Sequence, residues 1–296
     1  MTEIPATPLE LIEWTQGKFE KAGLFYGHGT DNAYDEAVYL VLRSLGLEFD
    51  ALEEELNRKL VKKAAMEVMR LVNDRITLRK PVAYLINEAW FAGLPFYVDE
   101  RVLIPRSPIA ELIEERFSPW VEEEKVKRIL DIGTGSGCIA VACALAFPAA
   151  TVDAVDISVG AEEVARINVE KHGLVGRVEV LHSDLYQSLE DRRYDIVIAN
   201  PPYVSTREYR ELPEEYRHEP VVGLEAGEDG LDIVRRILAE SRPHLNDNAI
   251  LVVEVGNSQE ALVQAYPDLP FTWLEFERGG EGVFLLTAEQ LAGGCQ

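Results

Sequence analysis

Ile129-Leu130-Asp131-Ile132-Gly133-Thr134-Gly135-Ser136-Gly137-Cys138 runs from an apolar stretch, through three alternate glycines, into a second apolar stretch at 138–146. Residues 126–131 read as a strand and 138–146 as a helix. The glycines between them permit a tight turn and close approach of a ligand to the backbone. The alternation continues downstream, with strands expected at 151–155, 177–181, 194–199, 249–255, 271–275 and 282–286, and helices at 160–172, 231–240 and 258–265. Strands separated by helices argue for an α/β fold with a doubly wound, mainly parallel sheet of seven strands.

Upstream, the pattern turns helical. Leu9, Leu11, Ile12, Trp14 and Phe19 predict a helix from Pro8 to Gly23. A second follows the capping residues Thr30-Asp31-Asn32 and buries Ala37, Val38, Val41, Leu42 and Leu45. A third is expected over 51–74, with Arg58, Lys59, Lys62 and Lys63 as a solvated basic face. His28, a lone histidine in a loop, reads as structural. Residues 90–105 mix aromatic and β-branched side chains with Gly and Asp turn signals, the pattern of a hairpin. The expected organisation is a small all-helical domain at 1–89, a connecting β-hairpin at 90–106 and the sheet domain at 107–296.

The formal charge of −23 counts against a duplex nucleic-acid partner, which needs cations for its phosphates, and favours encounter with a basic one. Cys138, Cys143 and Cys295 make neither a disulfide framework nor a metal spacing. Met1 to Glu10 lacks a basic region followed by an apolar one, and no stretch is apolar for long enough to span a bilayer. A soluble cytoplasmic protein, away from membranes, is the expectation.

Chemistry gathers where strands end. Asn200-Pro201-Pro202-Tyr203 stops the strand 194–199, because consecutive prolines lack ladder donors. In an open α/β sheet such a turn borders the ligand crevice. The Asn200 side-chain oxygen and the proline carbonyls make it a cluster of acceptors suited to a planar NH2 group. Asp131 precedes the glycines and can hold a cationic amino group. Asp156 ends the second strand, 23 residues beyond Gly133 (156 − 133), where a carboxylate accepts ribose hydroxyls. Asp184, after the third strand, can accept from an adenine amine. A dinucleotide fingerprint starting at Gly133 would want glycine or alanine at Cys138. An amino-acid head, a ribose diol and an adenine amine describe S-adenosylmethionine better than NAD.

With these residues in place, the chain resembles the class I S-adenosylmethionine-dependent methyltransferases of the protein-glutamine type. The resemblance rests on residues 131–137, Asp156, Asp184 and Asn200-Pro201-Pro202-Tyr203, and on Val102-Leu103-Ile104-Pro105-Arg106, Glu219-Pro220 and Gly227-Glu228-Asp229-Gly230-Leu231. It implies a Rossmann-like methyltransferase sheet behind a helical domain that helps choose the substrate. The implied cofactor set is Asp131, Gly133, Thr134, Gly135, Gly137, Asp156, Ile157, Asp184, Leu185 and Asn200. The implied catalytic set is Asn200, Pro201, Pro202 and Tyr203, with Tyr203 packed on the planar acceptor and no metal.

Ser107-Pro108-Ile109-Ala110-Glu111 differs from the Pro-Glu-Thr-Glu of the release-factor branch. With residues 26–32 and 216–220, it resembles the branch that methylates a glutamine of the third large-subunit ribosomal protein, a basic partner. Residues 207–230 hold eight acidic residues against three arginines, a charge suited to that partner at the acceptor entrance. The resemblance leaves the glutamine of the release-factor GGQ motif as an alternative, and the residues themselves leave adenine-amine methylation of nucleic acid and a non-catalytic adenosyl-ligand module.

Overall fold

The computed structural model describes residues 4–294. It contains two compact units: one is the chain up to Ala89 together with Pro213–His218, the other Trp90–Leu212 and the chain from Glu219 onward.

The first unit is helical. Helix α1 (Pro8–Ala22) starts where the Thr7 hydroxyl accepts from the Glu10 amide and stops at Gly23, which takes the left-handed φ of 57°. Helix α2 (Ala33–Ser44) is capped by Asn32, whose side chain accepts from the Asp35 amide at 2.9 Å. Ala37, Val41 and Leu42 are buried as the spacing predicts, while Val38 and Leu45 are half-buried. The single helix expected over 51–74 is in fact two, α3 (Glu53–Leu56) and α4 (Lys62–Leu78). An unbroken helix would stack Arg58 over Lys62 and Lys59 over Lys63, like charges one turn apart. The break also frees the Leu60 amide to donate to the Ala6 carbonyl at 2.8 Å. A short helix, α5 (Val82–Ile86), follows.

Arg75 of α4 is fully buried. Its Nε donates to Glu36 at 2.7 Å, one Nη to the Phe25 carbonyl at 2.9 Å, and the other to Glu215 at 3.4 Å. Glu215 belongs to the returning segment Pro213–His218, and also takes the Phe25 amide at 3.0 Å and Arg79 at 3.3 Å. Burial works against its charge, yet the Phe25 amide, its own amide and the two arginines hold its carboxyl below the usual range. His28 is buried in the same unit, its ring 4.5 Å from that of Tyr216.

Strands β1 (Ala89–Phe91) and β2 (Leu94–Phe96) form a two-stranded hairpin across Ala92-Gly93, both at positive φ, 48° and 71°. The ladder is shorter than the stretch read as hairpin. From Tyr97 onward, side chains take over its bonds: Asn168 accepts the Tyr97 amide at 2.7 Å, and Asp99 accepts both the amide and the guanidinium of Arg101.

Beyond α6 (Ile109–Glu114), the second unit alternates β3 (Arg128–Ile132), α7 (Cys138–Ala146), β4 (Thr151–Asp156), α8 (Val159–Lys171), β5 (Val178–His182) and β6 (Tyr194–Ala199). Helices α9 (Thr206–Glu211) and α10 (Asp232–Glu240) lead to β7 (Leu245–Glu254), α11 (Gln259–Ala265), β8 (Thr272–Trp273), β9 (Val283–Thr287) and α12 (Ala288–Gly294). The seven strands of the main sheet stand in the order β5-β4-β3-β6-β7-β9-β8. The first five are parallel, and β9 runs antiparallel to both β7 and β8.

Successive residues of a strand face opposite sides, so the buried pairs Ile129/Leu130 and Ile196/Val197 each feed two cores. One core packs the sheet on α6, α7 and α8, the other on α10, α11 and α12. Cys138 and Cys143 are buried free thiols of α7, and Cys295 lies outside the described residues. No described helix is long and apolar enough to cross a membrane.

Candidate active site

From β3 the chain winds outward through β4 and β5, then returns to add β6 and β7 on the other side. The order therefore reverses between β3 and β6, where an α/β sheet opens a crevice at its carboxyl edge. Ile132 and Ala199, the last residues of these two strands, are register partners, so Gly133 and Asn200 leave the sheet side by side. A Cβ on Gly133 would lie 4.0 Å from the Asn200 carbonyl oxygen.

The amides of Gly133 and Thr134 both donate to the Val155 carbonyl, at 2.9 and 3.0 Å. Gly135 donates to Asp156 at 2.9 Å, and the other Asp156 oxygen accepts the Ser158 amide at 2.9 Å. Burial pushes the Asp156 carboxyl up, against those two amides. Gly133, Gly135 and Gly137 all adopt left-handed φ, which is why the loop needs glycine at alternate positions.

A cavity opens over these strand ends. It is lined by Gly133, Thr134 and Gly135, by Asp156 and Ile157, by Asp184 and Leu185, and by Asn200, Pro201 and Pro202. The Asn200 side chain makes no hydrogen bond with the described residues, so its amide is uncommitted at the cavity wall. Asp184 holds Arg236 of α10, another lining residue, at 2.8 Å.

Three of the expected site residues stand elsewhere. Gly137 is not in the lining: a Cβ there would lie 3.2 Å from Ala165, so this glycine lets α8 approach the start of α7. Asp131 sits beneath the loop, 1% exposed, with one oxygen accepting the Thr134 hydroxyl at 2.6 Å and the Ala140 amide at 3.1 Å. Its Oδ1 has no partner, and burial pushes its carboxyl up to about 7, with Thr134 and Ala140 opposing. Tyr203 is also absent from the lining and gives its hydroxyl to Glu254.

The stretch read as linker supplies a wall that the sequence reading did not find. Arg101, Val102, Leu103, Pro105 and Arg106 all line the cavity, joined by Ser107 just beyond that stretch. Arg106 grips Glu219 with two parallel bonds, at 2.6 and 2.8 Å, and Glu219 also takes the Ile104 amide at 3.0 Å. Two motifs noticed separately, at 102–106 and 219–220, are therefore halves of one clamp. Their joint presence was the available signal.

An uncommitted acceptor facing a glycine-rich loop, with an open buried carboxylate oxygen behind the loop, suits a ligand with a cationic head. Asp156 can still accept from hydroxyls, and the apolar Ile157 and Leu185 can flank a flat ring.

Comparison with known proteins bears on this arrangement. The family described as "Methyltransferase small domain" matches residues 116–214. The ribosomal protein uL3 glutamine methyltransferase of Neisseria gonorrhoeae is 47% identical over 285 residues, covering 96% of this chain and 95% of that protein. The protein of the same name from Neisseria meningitidis serogroup B is 48% identical over 285 residues, covering 96% and 94%. Among solved structures, the hMettl16 catalytic domain in complex with a 3′UTR hairpin is similar in fold, with a TM-score of 0.52 at 18% identity, covering 78% of this chain and 84% of that one.

Proposed function

We propose the activity from family membership: the chain belongs to the ribosomal protein uL3 glutamine methyltransferases. It methylates a glutamine of that ribosomal protein. The methyl donor is S-adenosylmethionine, which supplies an electrophilic methyl group on a sulfonium and leaves as S-adenosylhomocysteine. The acceptor is the side-chain amide nitrogen, N5. One observation carries the assignment of the site: the uncommitted Asn200 side chain lines the same cavity as the glycine loop and Asp156.

An amide nitrogen is a weak nucleophile because its lone pair is shared with the carbonyl. Hydrogen bonds from the NH2 to the Asn200 side-chain oxygen and the Pro201 carbonyl hold that nitrogen and stabilise the positive charge that develops on it. Alignment and charge stabilisation then suffice, and the methylated nitrogen, now strongly acidic, gives its extra proton to water without a dedicated general base. On the donor side, Asp156 accepts ribose hydroxyls, Ile157 and Leu185 flank the adenine, and Asp184 accepts from its amine. The buried Asp131 carboxyl gains charge when an ammonium group comes near, which favours an amino-acid head. The helical unit helps choose the substrate.

Incubating the protein with methyl-labelled S-adenosylmethionine and uL3 from cells lacking the activity tests this reading. Label is expected on one glutamine side chain of uL3. Label in a release factor or in nucleic acid, with none in uL3, would refute it.

The substrate is a basic protein met in the cytoplasm, and the net charge of −23 draws it in. The segment 207–230 contributes less of this field than its composition suggests. Glu208 caps α9, Glu215 and Glu219 are buried in ion pairs, and Asp229 is held by Arg235. Glu211, Glu214 and Glu228 stay exposed, so the segment keeps part of that field beside the rest of the surface. The Michaelis constant for uL3 is expected to rise several-fold as salt goes from low to physiological strength, where screening sets in at about 8 Å. A constant that does not move would remove electrostatic attraction from this account.

A further inference from the structure

We propose that Glu254 and Ser107 are positioning residues for methyl transfer, gripping Tyr203 by its hydroxyl so that the turn carrying Asn200 keeps one geometry. The proposal rests on the reading of Asn200 as the group that holds the acceptor amide.

The grip has three points. Tyr203 donates its hydroxyl to one oxygen of Glu254 at 3.0 Å, and Ser107 donates to the other at 2.5 Å. Glu254 ends β7 and is 5% exposed, so its carboxylate depends on these two donors to offset the loss of water. Two residues further on, the Tyr203 ring lies against bare backbone. A Cβ on Gly256 would stand 2.6 Å from the ring Cε2, and one on Gly282 would stand 2.3 Å from the Gly256 carbonyl oxygen. Gly256 is thus wedged between Gly282 and the ring, at a φ of 43°. The third point is the Tyr203 carbonyl, which accepts the Ser258 hydroxyl at 2.8 Å. A Cβ on Gly230 would fall 2.2 Å from that same carbonyl oxygen, so the space around it is filled.

Residues 254–258 therefore hold the hydroxyl, the ring and the carbonyl of one tyrosine. Pro201 and Pro202 connect it to Asn200 with φ fixed by their rings, which leaves little slack between the gripped residue and the acceptor. Tyr203 acts here as a strut, which accounts for its absence from the cavity lining. A misplacement of about 1 Å in an aligned reaction costs on the order of 100-fold, so a partial loosening should be visible in turnover.

The test is a cycle of Tyr203→Phe, Glu254→Leu, which removes both acceptor oxygens, and the double variant, read by turnover on uL3 and by amide hydrogen exchange at 203–206 in the protein without ligands. Each single variant should lose about 10-fold in kcat. The KM for S-adenosylmethionine should stay within about twofold, and the double variant should be no worse than the poorer single one. Exchange at 203–206 should speed up in both singles. Unchanged kcat, losses that multiply in the double variant, or unchanged exchange would overturn the proposal. If Glu254→Leu does not fold, Ser107→Ala takes its place, removing one donor and keeping the carboxylate. An inactive wild type would count against the functional reading, while exchange still reports on the grip. An active wild type with unaffected variants would count against the grip alone.

Discussion

Asn200→Ala lowers methyl transfer to uL3 by about 100-fold, a loss of about 2.7 kcal/mol in transition-state stabilisation. The size follows from what the side chain does. It is one of two acceptors proposed for the NH2, and acceptors of this kind matter most when charge develops on the nitrogen. The loss should therefore fall on the chemical step, measured as a single-turnover rate with donor and uL3 both saturating. Thermal unfolding should hardly change, because this side chain bonds to no described residue. Asn200→Asp, which keeps an acceptor oxygen, should retain more activity than Asn200→Ala. A loss below about threefold in Asn200→Ala would mean that the turn's acceptors are not used.

Arg75→Ala destabilises the helical unit by about 3–5 kcal/mol, the usual cost of removing one partner from a buried ion pair. Glu36, 2% exposed, would be left with a single 3.3 Å bond from the Thr30 hydroxyl, and the Phe25 carbonyl would lose its donor. Burial already pushes the Glu36 carboxyl up, with Arg75 pulling it back, so the substitution strands a group that is costly to ionise. Arg75→Lys should fall between the two, because a lysine cannot direct separate bonds to three acceptors in the guanidinium plane. Urea unfolding followed by helix signal measures the effect. A shift below about 1 kcal/mol would show that apolar packing alone holds the unit.

The parts legible in the sequence were those with a local signature. The strand-glycine-helix passage at 129–138 and the apolar run that ends at Pro201 depend on neighbours in the chain, and they placed the sheet and its crevice. The cavity residues Gly133, Asp156 and Asn200 followed from strand ends alone. The break at 57–61 was also local, but its signal was charge spacing on a helix, which apolar periodicity does not register. What stayed hidden were partnerships between distant residues. Nothing near Tyr203 announces Glu254, and nothing near Arg106 announces Glu219. The depth of Asp131 was hidden for a related reason, since only the folded loop shows Thr134 and Ala140 closing over it. Composition also counts the charges of 207–230 without saying which are turned inward, as Glu215 and Glu219 are.

The helical unit is discontinuous in the chain, and this sets an order of events during synthesis. Arg75 and Glu215 are separated by 140 residues. As the chain leaves the ribosome, the unit begun first cannot make its last buried ion pair until four strands of the main sheet, β3 to β6, have already emerged. The same discontinuity governs any exchange of this unit between related enzymes. A graft of residues 1–89 alone would bring in a new partner for Arg75 only by chance, so the transplant must carry 213–218 with it.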